Sequence, residues 1–408
     1  MSDGDAGRLA GTRVCILRRG SIAHDKRTQQ IARLLVEAGA KVTVVCTART
    51  GREDWMETSG YSVIEVAGIP AFTHPVWLIR VVSNLIRNRL RAHAVRRAIV
   101  RTVRAFDPDI VHCMNVDMLY FAYRAAGARR YIYDSREHFA TTGVSNRRTR
   151  LWWLLSERLL IPKAAAVFTV TDMIADDLER RYRISRPTVL VNGCTTRVIE
   201  AQPPHEPLRL IHQGKFFFDR HLDDVIRAVA RQGGSATLTL QGWGEAEASL
   251  RQLVADLGIE ASVTFVPPCP PEQVVASAAD HDVGVINIWP ENDSHRWTGS
   301  NKLFDYMGAG LAEIVTNLDF TRRVVEAEGI GMVFDPPDAD RIAEVIGWLI
   351  DNPGEVARMK RNAVAASAHY TWEAQAGTLY DAYERALGRS PEPPDSPVPS
   401  GKASEPCE

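Results

Sequence analysis

Short apolar runs and amphipathic stretches alternate along most of this chain. Residues 12–17 are apolar, a polar loop covers 18–27, and Ile31, Leu34, Leu35 and Ala38 recur at the spacing of a helix that Gly39 ends. The apolar run 42–46 follows, so strand, loop, helix and strand occupy about 35 residues, the size of a βαβ unit. The runs are continuous rather than alternating, as in parallel strands covered on both faces. Further strands are predicted at 109–112, 131–134, 165–169 and 188–191, with helix over 76–106. After 196–207, which is poor in apolar residues and holds Pro203, Pro204 and Pro207, the theme repeats. Strands are predicted at 208–212, 236–240, 262–266, 283–288 and 312–316, and helices near 222–232, 247–257, 272–279, 301–309, 339–350 and 354–368. A last helix is predicted near 371–387.

Two similar halves joined by one linker imply an α/β chain of two doubly wound, Rossmann-like domains that face each other across a cleft. Ligands in such sheets bind outside the carboxyl ends of the strands. The expected organisation is a first domain over 11–195, a linker over 196–207, a second domain over 208–369 and a terminal helix over 370–387 that follows it. Residues 388–408 hold 6 of the 22 prolines and read as a disordered tail.

Charge and composition narrow the classes. Lys+Arg (49) and Asp+Glu (50) nearly cancel, which excludes a generally basic, nucleic-acid-coating protein and makes any basic patch local. No apolar run approaches the ~20 residues that span a bilayer. Residues 1–11 are polar and acidic, unlike a secretory leader, so the expected location is the cytoplasm. The six cysteines are scattered, with no CxxC and no compact Cys/His spacing, so no metal site is expected.

Lysine is scarce, which singles out Lys215 at the end of a predicted strand, with Arg220 before the next helix. Thr298-Gly299-Ser300-Asn301 leads into the helix that starts near Lys302. Small residues there let backbone N–H groups approach a phosphate, and Ser300 can cap the helix. Gly242-Trp243-Gly244 turns from strand to helix, and the loop 21–27 carries His24, Asp25 and Arg27.

The stretch Lys302-Leu303-Phe304-Asp305-Tyr306-Met307-Gly308-Ala309-Gly310 resembles the K-L-F-E-Y-(L/M)-A-A-G segment of the GT-B-fold retaining glycosyltransferases of family 4. Arg27, Ile110-Val111-His112, Tyr133-Asp134-Ser135-Arg136-Glu137, Asn192-Gly193, Gln213-Gly214, Gly242-Trp243-Gly244 and Tyr370-Thr371-Trp372-Glu373 fall in that family's order over nearly the whole chain before the tail. The resemblance implies transfer of a sugar from a nucleotide sugar, expected to be a UDP-sugar, to an acceptor hydroxyl with retention of configuration. It implies no metal ion and no cofactor, the nucleotide sugar being a co-substrate, and a terminal helix over 370–387 that crosses back to the first domain.

Without a metal, fixed cations and helix N-terminal N–H groups must stabilise the leaving diphosphate. By resemblance Lys215 and Arg220 are the catalytic cationic pair. Gly214, Gly242, Gly244, Thr298, Gly299, Ser300, Asn301 and Lys302 are donor-binding, and Asp305 stands where a Glu receives the ribose hydroxyls. On the first domain Asp25, Arg27, His112, Arg136 and Glu137 are acceptor-binding. The acceptor itself, a small molecule, a glycan or a lipid-linked sugar, stays open.

Two departures stand out. Trp297 occupies a position where the family often holds a Glu for the donor sugar, and Arg136 replaces the His of Y-D-S-H-E. They keep open an altered relative that couples a non-sugar donor or only binds one; a nucleotide-sugar epimerase of the same fold, which needs no acceptor, is the other alternative, disfavoured by the Lys302–Asp305 segment. Finally, 66–106 contains eight arginines and no acid, interleaved with apolar residues, and 147–153 adds arginines beside Trp152 and Trp153. The basic 76–106 region is therefore a candidate peripheral contact with the inner membrane face.

Overall fold

The computed structural model describes residues 7–23, 25–48, 60–67, 94–127, 130–139 and 147–389, and everything below refers to these. His24, 68–93 and 390–408 lie outside them, and with them most of the basic stretch and the expected tail.

The first half runs β1 (Arg13–Arg19), α1 (Lys26–Glu37), β2 (Lys41–Ala48), β3 (Ser62–Ala67), a helix over 94–106 (α2), β4 (Ile110–Met114), α3 (Val116–Ala126), β5 (Arg130–Ser135), α4 (Arg147–Leu160), β6 (Ala166–Thr169), α5 (Asp172–Tyr182) and β7 (Thr188–Val189). Its seven strands lie in the order β3-β2-β1-β4-β5-β6-β7, all parallel. The second half runs β8 (Leu208–Lys215), α6 (Leu222–Ala230), β9 (Ala236–Trp243), α7 (Glu247–Leu257), β10 (Val263–Val266), α8 (Val274–Ala278), β11 (Val283–Ile286), α9 (Asp293–Arg296), α10 (Asn301–Gly308), β12 (Ala312–Thr316), α11 (Asp319–Glu328), β13 (Gly331–Phe334), α12 (Ala339–Asp351), α13 (Pro353–Ser367) and α14 (Ala376–Leu387). Its six strands order as β10-β9-β8-β11-β12-β13. Both orders reverse at the first strand of their sheet, which opens a crevice at the carboxyl ends of β1 and β4 in one half and of β8 and β11 in the other. These are the two Rossmann-like sheets that the hydrophobic pattern requires.

Each sheet is buried on both faces, hence the continuous apolar runs. β4 is buried at every position, with Ile110 and Met114 in one core cluster and Val111 and Cys113 in the other. Helix α14 lies against β5 and β6, where Leu379, Tyr380 and Tyr383 join the first sheet's core together with Trp372. Cys15, Cys46, Cys113 and Cys194 are free and buried, serving as small apolar residues. Among the described residues no helix is long and apolar enough to cross a membrane. In α2, Arg96, Arg97, Arg101 and Arg104 are exposed while Ile99 and Val103 are buried in the core. The apolar side of this part of the basic stretch is thus already covered by protein.

Candidate active site

Glycine geometry sets the floor of the second domain's crevice. A Cβ on Gly242 would lie 1.7 Å from the Gly214 carbonyl oxygen, and one on Gly244 would lie 2.3 Å from that of Phe216. Only hydrogen at these positions lets the ends of β8 and β9 close on each other, with Gly214 at φ +133° and Gly242 at φ +156°. Near them begins α10, whose Ser300 caps the helix by accepting from Lys302 N. Thr298 and Ser300 line a cavity of about 480 Å³ in the cleft, and Asn301 stands exposed at the helix start. Gly299 lies where the two halves meet: its carbonyl accepts from Asn192 Nδ2 at 2.9 Å, and a Cβ there would be 3.1 Å from Thr171 Cγ2.

The same cavity is lined by Arg220, Lys302, Asn292 and His295 from the second half and by Arg136, Glu137 and Ile174 from the first. Lys215 is not part of it. That side chain is exposed and its Nζ sits 5.3 Å from the centroid of the Phe217 ring. The residues on the cavity wall are thus Arg220 and Lys302, the latter brought in by α10, while Lys215 stands outside the lining. Burial first, and Arg220 second, bring the Lys302 ammonium down to about 8. It makes no ion pair among the described residues. Arg220 has only Asp219, at 3.7 Å. Two cations thus confront each other beside a helix N-terminus, an arrangement that calls for an anion.

Beneath them His212 is buried and keeps its Nδ1 against the Val285 carbonyl at 3.2 Å, while Nε2 has no partner. Burial, then Lys302 and Arg220, hold this imidazole well below its ordinary value and so neutral. Nothing in the sequence pattern pointed to it. Asp305 is placed one turn into α10 as expected, but its carboxylate is engaged by Lys26 from α1 across the cleft, both side chains being 7% exposed. Burial raises its pKa, and Lys26 opposes the shift.

The first-domain residues divide. Arg136 and Glu137 face the cavity. Asp25 caps α1 through Thr28 N and binds Arg18 and, at 2.8 Å, Arg136 Nη1. Burial pushes its carboxyl up, but the two guanidinium groups outweigh this and leave it below its ordinary value. Asp25 therefore orients Arg136 rather than facing an acceptor itself. Arg27 and His112 do not line the cavity but lie in the interior, 1% and 0% exposed. Arg27 grips Asp134 with Nε at 2.8 Å and Nη2 at 3.0 Å, and donates to the Leu190 carbonyl at 2.7 Å. His112 Nδ1 lies 2.6 Å from the Tyr383 hydroxyl on α14. These residues tie α1, β5, the chain after β7 and the terminal helix together from inside.

Trp297, the other departure, spans the two halves. Its ring meets His138 edge-on with centroids 4.8 Å apart, and its carbonyl accepts from Thr171 Oγ1 at 3.1 Å. His138 Nε2 is 2.8 Å from Asp177 Oδ2; burial lowers its pKa and Asp177 opposes this. His221, Asp223 and Asp224 at the start of α6 bring potential ligand atoms within 4.8 Å of one another, a grouping the sequence reading did not pick out. The two acids also suit the positive end of that helix.

Residues 24–195 match the family described as "Glycosyl transferase 4-like domain", and residues 197–365 match "Glycosyl transferases group 1". A D-inositol 3-phosphate glycosyltransferase of Acidothermus cellulolyticus is 26% identical over 215 residues, 52% of this chain and 45% of that one. Its counterpart from Corynebacterium urealyticum is 26% identical over 217 residues, 52% of this chain and 47% of the relative. The chain thus aligns with less than half the length of these relatives. Among solved structures, a sucrose-phosphate synthase from Thermosynechococcus elongatus superposes with a TM-score of 0.70 at 16% identity, over 93% of this chain and 100% of that one. Anabaena HepE in complex with UDP-glucose gives 0.70 at 14% identity, over 91% and 99%. These two share the fold, the GT-B arrangement of facing Rossmann-like domains. By its two matching domains, the chain belongs to the group 1 glycosyltransferases of family 4.

Proposed function

We propose that this protein transfers a sugar from a nucleoside-diphosphate sugar, a UDP-sugar by preference, to an acceptor hydroxyl with retention of configuration and without a metal ion. The observation that carries the reading is the pair of cations, Arg220 and Lys302, without an ion-paired partner for Lys302, on the cavity wall where α10 begins. As the glycosyl–phosphate bond breaks, the diphosphate gains negative charge, and two fixed cations beside helix N–H groups stabilise that charge more than the ground state. A leaving-phosphate oxygen takes the acceptor's proton on the same face, so no protein nucleophile is required. Asp305 receives the ribose hydroxyls after exchanging Lys26 for them. Arg136, held by Asp25 on the opposite wall, suits an anionic acceptor, in keeping with relatives named for D-inositol 3-phosphate. The solved neighbour with UDP-glucose supports the choice of nucleotide.

The test is release of nucleoside diphosphate from a panel of nucleotide sugars, with and without D-inositol 3-phosphate and other polyols, in EDTA. The expected result is acceptor-dependent release of UDP that survives chelation, with an α-linked product from an α-linked donor. Conversion of the sugar without an acceptor would favour an epimerase. Loss in EDTA restored by Mg²⁺ or Mn²⁺ would overturn the metal-free reading and direct attention to His221, Asp223 and Asp224.

A further inference from the structure

Helix α4 carries large apolar side chains on its outer side as well as its inner one. Leu151, Leu155 and Leu159, spaced four apart on one row, are 68%, 44% and 53% exposed, and Trp152 beside them is 52% exposed. The opposite side is well packed: Ser156, Glu157 and Leu160 are buried, and Trp153 meets Phe139 edge-on at 5.5 Å. Four of the large exposed apolar side chains of the described chain therefore share one helix face. Single exposed leucines need no explanation, but a contiguous row does.

Charge on this helix is just as one-sided. Its sequence holds Arg147, Arg148, Arg150 and Arg158 against one acid, Glu157. Glu157 is 2% exposed and is held inside by the hydroxyls of Tyr133 and Tyr182, both at 2.8 Å. Burial raises its pKa, with the two tyrosine hydrogen bonds opposing. Arg150 and Arg158 are exposed, and Lys163 follows them at the surface. The outward face is consequently apolar and cationic with no acid of its own. A protein partner would have to match the leucine row in shape. An anionic bilayer needs no such match, since its acyl boundary accepts leucine and tryptophan while its headgroups accept arginine.

We propose that α4 is a membrane-docking face, on which Leu151, Trp152, Leu155 and Leu159 enter the headgroup boundary of an anionic bilayer while Arg150, Arg158 and Lys163 contact lipid phosphates. In the described part of the basic stretch over 76–106, α2, the apolar side is already buried. None of the α4 residues lines the cavity between the halves.

The experiment is co-sedimentation of the full chain, at low ionic strength, with vesicles of phosphatidylcholine alone and with vesicles containing phosphatidylglycerol. The expected result is pelleting with the anionic vesicles, reduced about tenfold by Leu151→Ser/Leu155→Ser/Leu159→Ser and weakened by added salt. The melting transition and nucleotide release of this variant should match the parent, because the three side chains are outward. A second variant, Arg158→Gln/Lys163→Gln, should lose anionic selectivity and keep its fold. A wild-type chain that stays in solution with anionic vesicles overturns the proposal, as does a triple variant that pellets like the parent. A lipid-free dimer that the triple variant loses would show that a second copy covers this face, and overturns it as well.

Discussion

Lys26 on α1 and Asp305 on α10 close an ion pair across the cleft, joining residues 279 positions apart, with each side chain 7% exposed. The pair holds the two halves together at the mouth of the site. Breaking a buried pair leaves one charge without a partner, at a cost of ~3–5 kcal/mol. Lys26→Met should therefore lower stability to urea by an amount in that range. It should also tighten binding of the nucleoside diphosphate once folded, because Asp305 is then released for the ribose. A stable variant with weakened nucleotide binding would remove Asp305 from the donor site.

The lowered pKa of Lys302 gives the reaction an alkaline limb. The ammonium is the useful form and is lost as pH rises through about 8 in the free enzyme, so kcat/KM should fall above that value. Lys302→Arg keeps its charge throughout and should flatten the limb. Lys302→Ala and Arg220→Ala should each lower turnover by about tenfold or more, and Lys215→Ala far less. A pH profile of kcat/KM for the parent and Lys302→Arg decides the matter, since an identical limb in both assigns it to another group.

Arg27 and Asp134 make a prediction about stability rather than substrate. Asp134 is held well below the ordinary carboxylate range: burial pushes it up, and Arg27 and His112 outweigh this. A depressed folded pKa contributes stability that is present above the unfolded value, about 4, and is lost as pH falls through the folded one. Arg27→Met leaves the buried Asp134 with only His112 beside it and should cost ~3–5 kcal/mol. Denaturation curves measured from neutral to acid pH should show the parent losing the acid-sensitive part of its stability while the acceptor KM of any folded variant stays unchanged. A variant of full stability with a raised acceptor KM would return Arg27 to the acceptor site.

A chain ended at Ala368 should not give a soluble first domain. It lacks Trp372, Tyr380 and Tyr383, which are 1%, 0% and 0% exposed within that domain's core. Removing them uncovers one face of the first sheet, each lost aromatic costing ~3–5 kcal/mol. A chain ended at Arg389 retains them and should melt like the parent. Expression and thermal melting of the two truncations check this, and a soluble, cooperative chain ending at Ala368 would show that α14 is dispensable.

The central strands were legible because parallel strands covered on both faces read as unbroken apolar runs. The missed strands, β3 and β13, are at sheet edges. Their residues are largely half-buried or exposed, so Ser62 and Glu65 in one and Gly331 in the other interrupt the signal. The turn into α10 was legible for a local reason: Ser300, Asn301 and Lys302 adjoin in sequence as they do in space. What failed was long-range. Sequence spacing could not bring Lys302 to Arg220, Lys26 to Asp305 or Trp297 to His138, since each partner arrives on a different element. The burial of Arg27 and His112 was out of reach for the same reason, since Trp372 and Tyr383, which contact them, return from the far end of the chain.

Between the halves the chain passes twice, and the two passages lie side by side. Cys194 N donates to the Tyr370 carbonyl at 2.9 Å, Trp372 N donates to the Cys194 carbonyl at 3.3 Å, and Cys194 bridges Thr371 in parallel. Gly193 permits this proximity, since a Cβ there would lie 2.5 Å from the Tyr370 oxygen. Two separate tethers would let one half swivel on the other. Here the two passages form a single hydrogen-bonded strip. One joint, rather than two independent strands, therefore sets where Arg136 stands against Arg220 and Lys302 across the cavity.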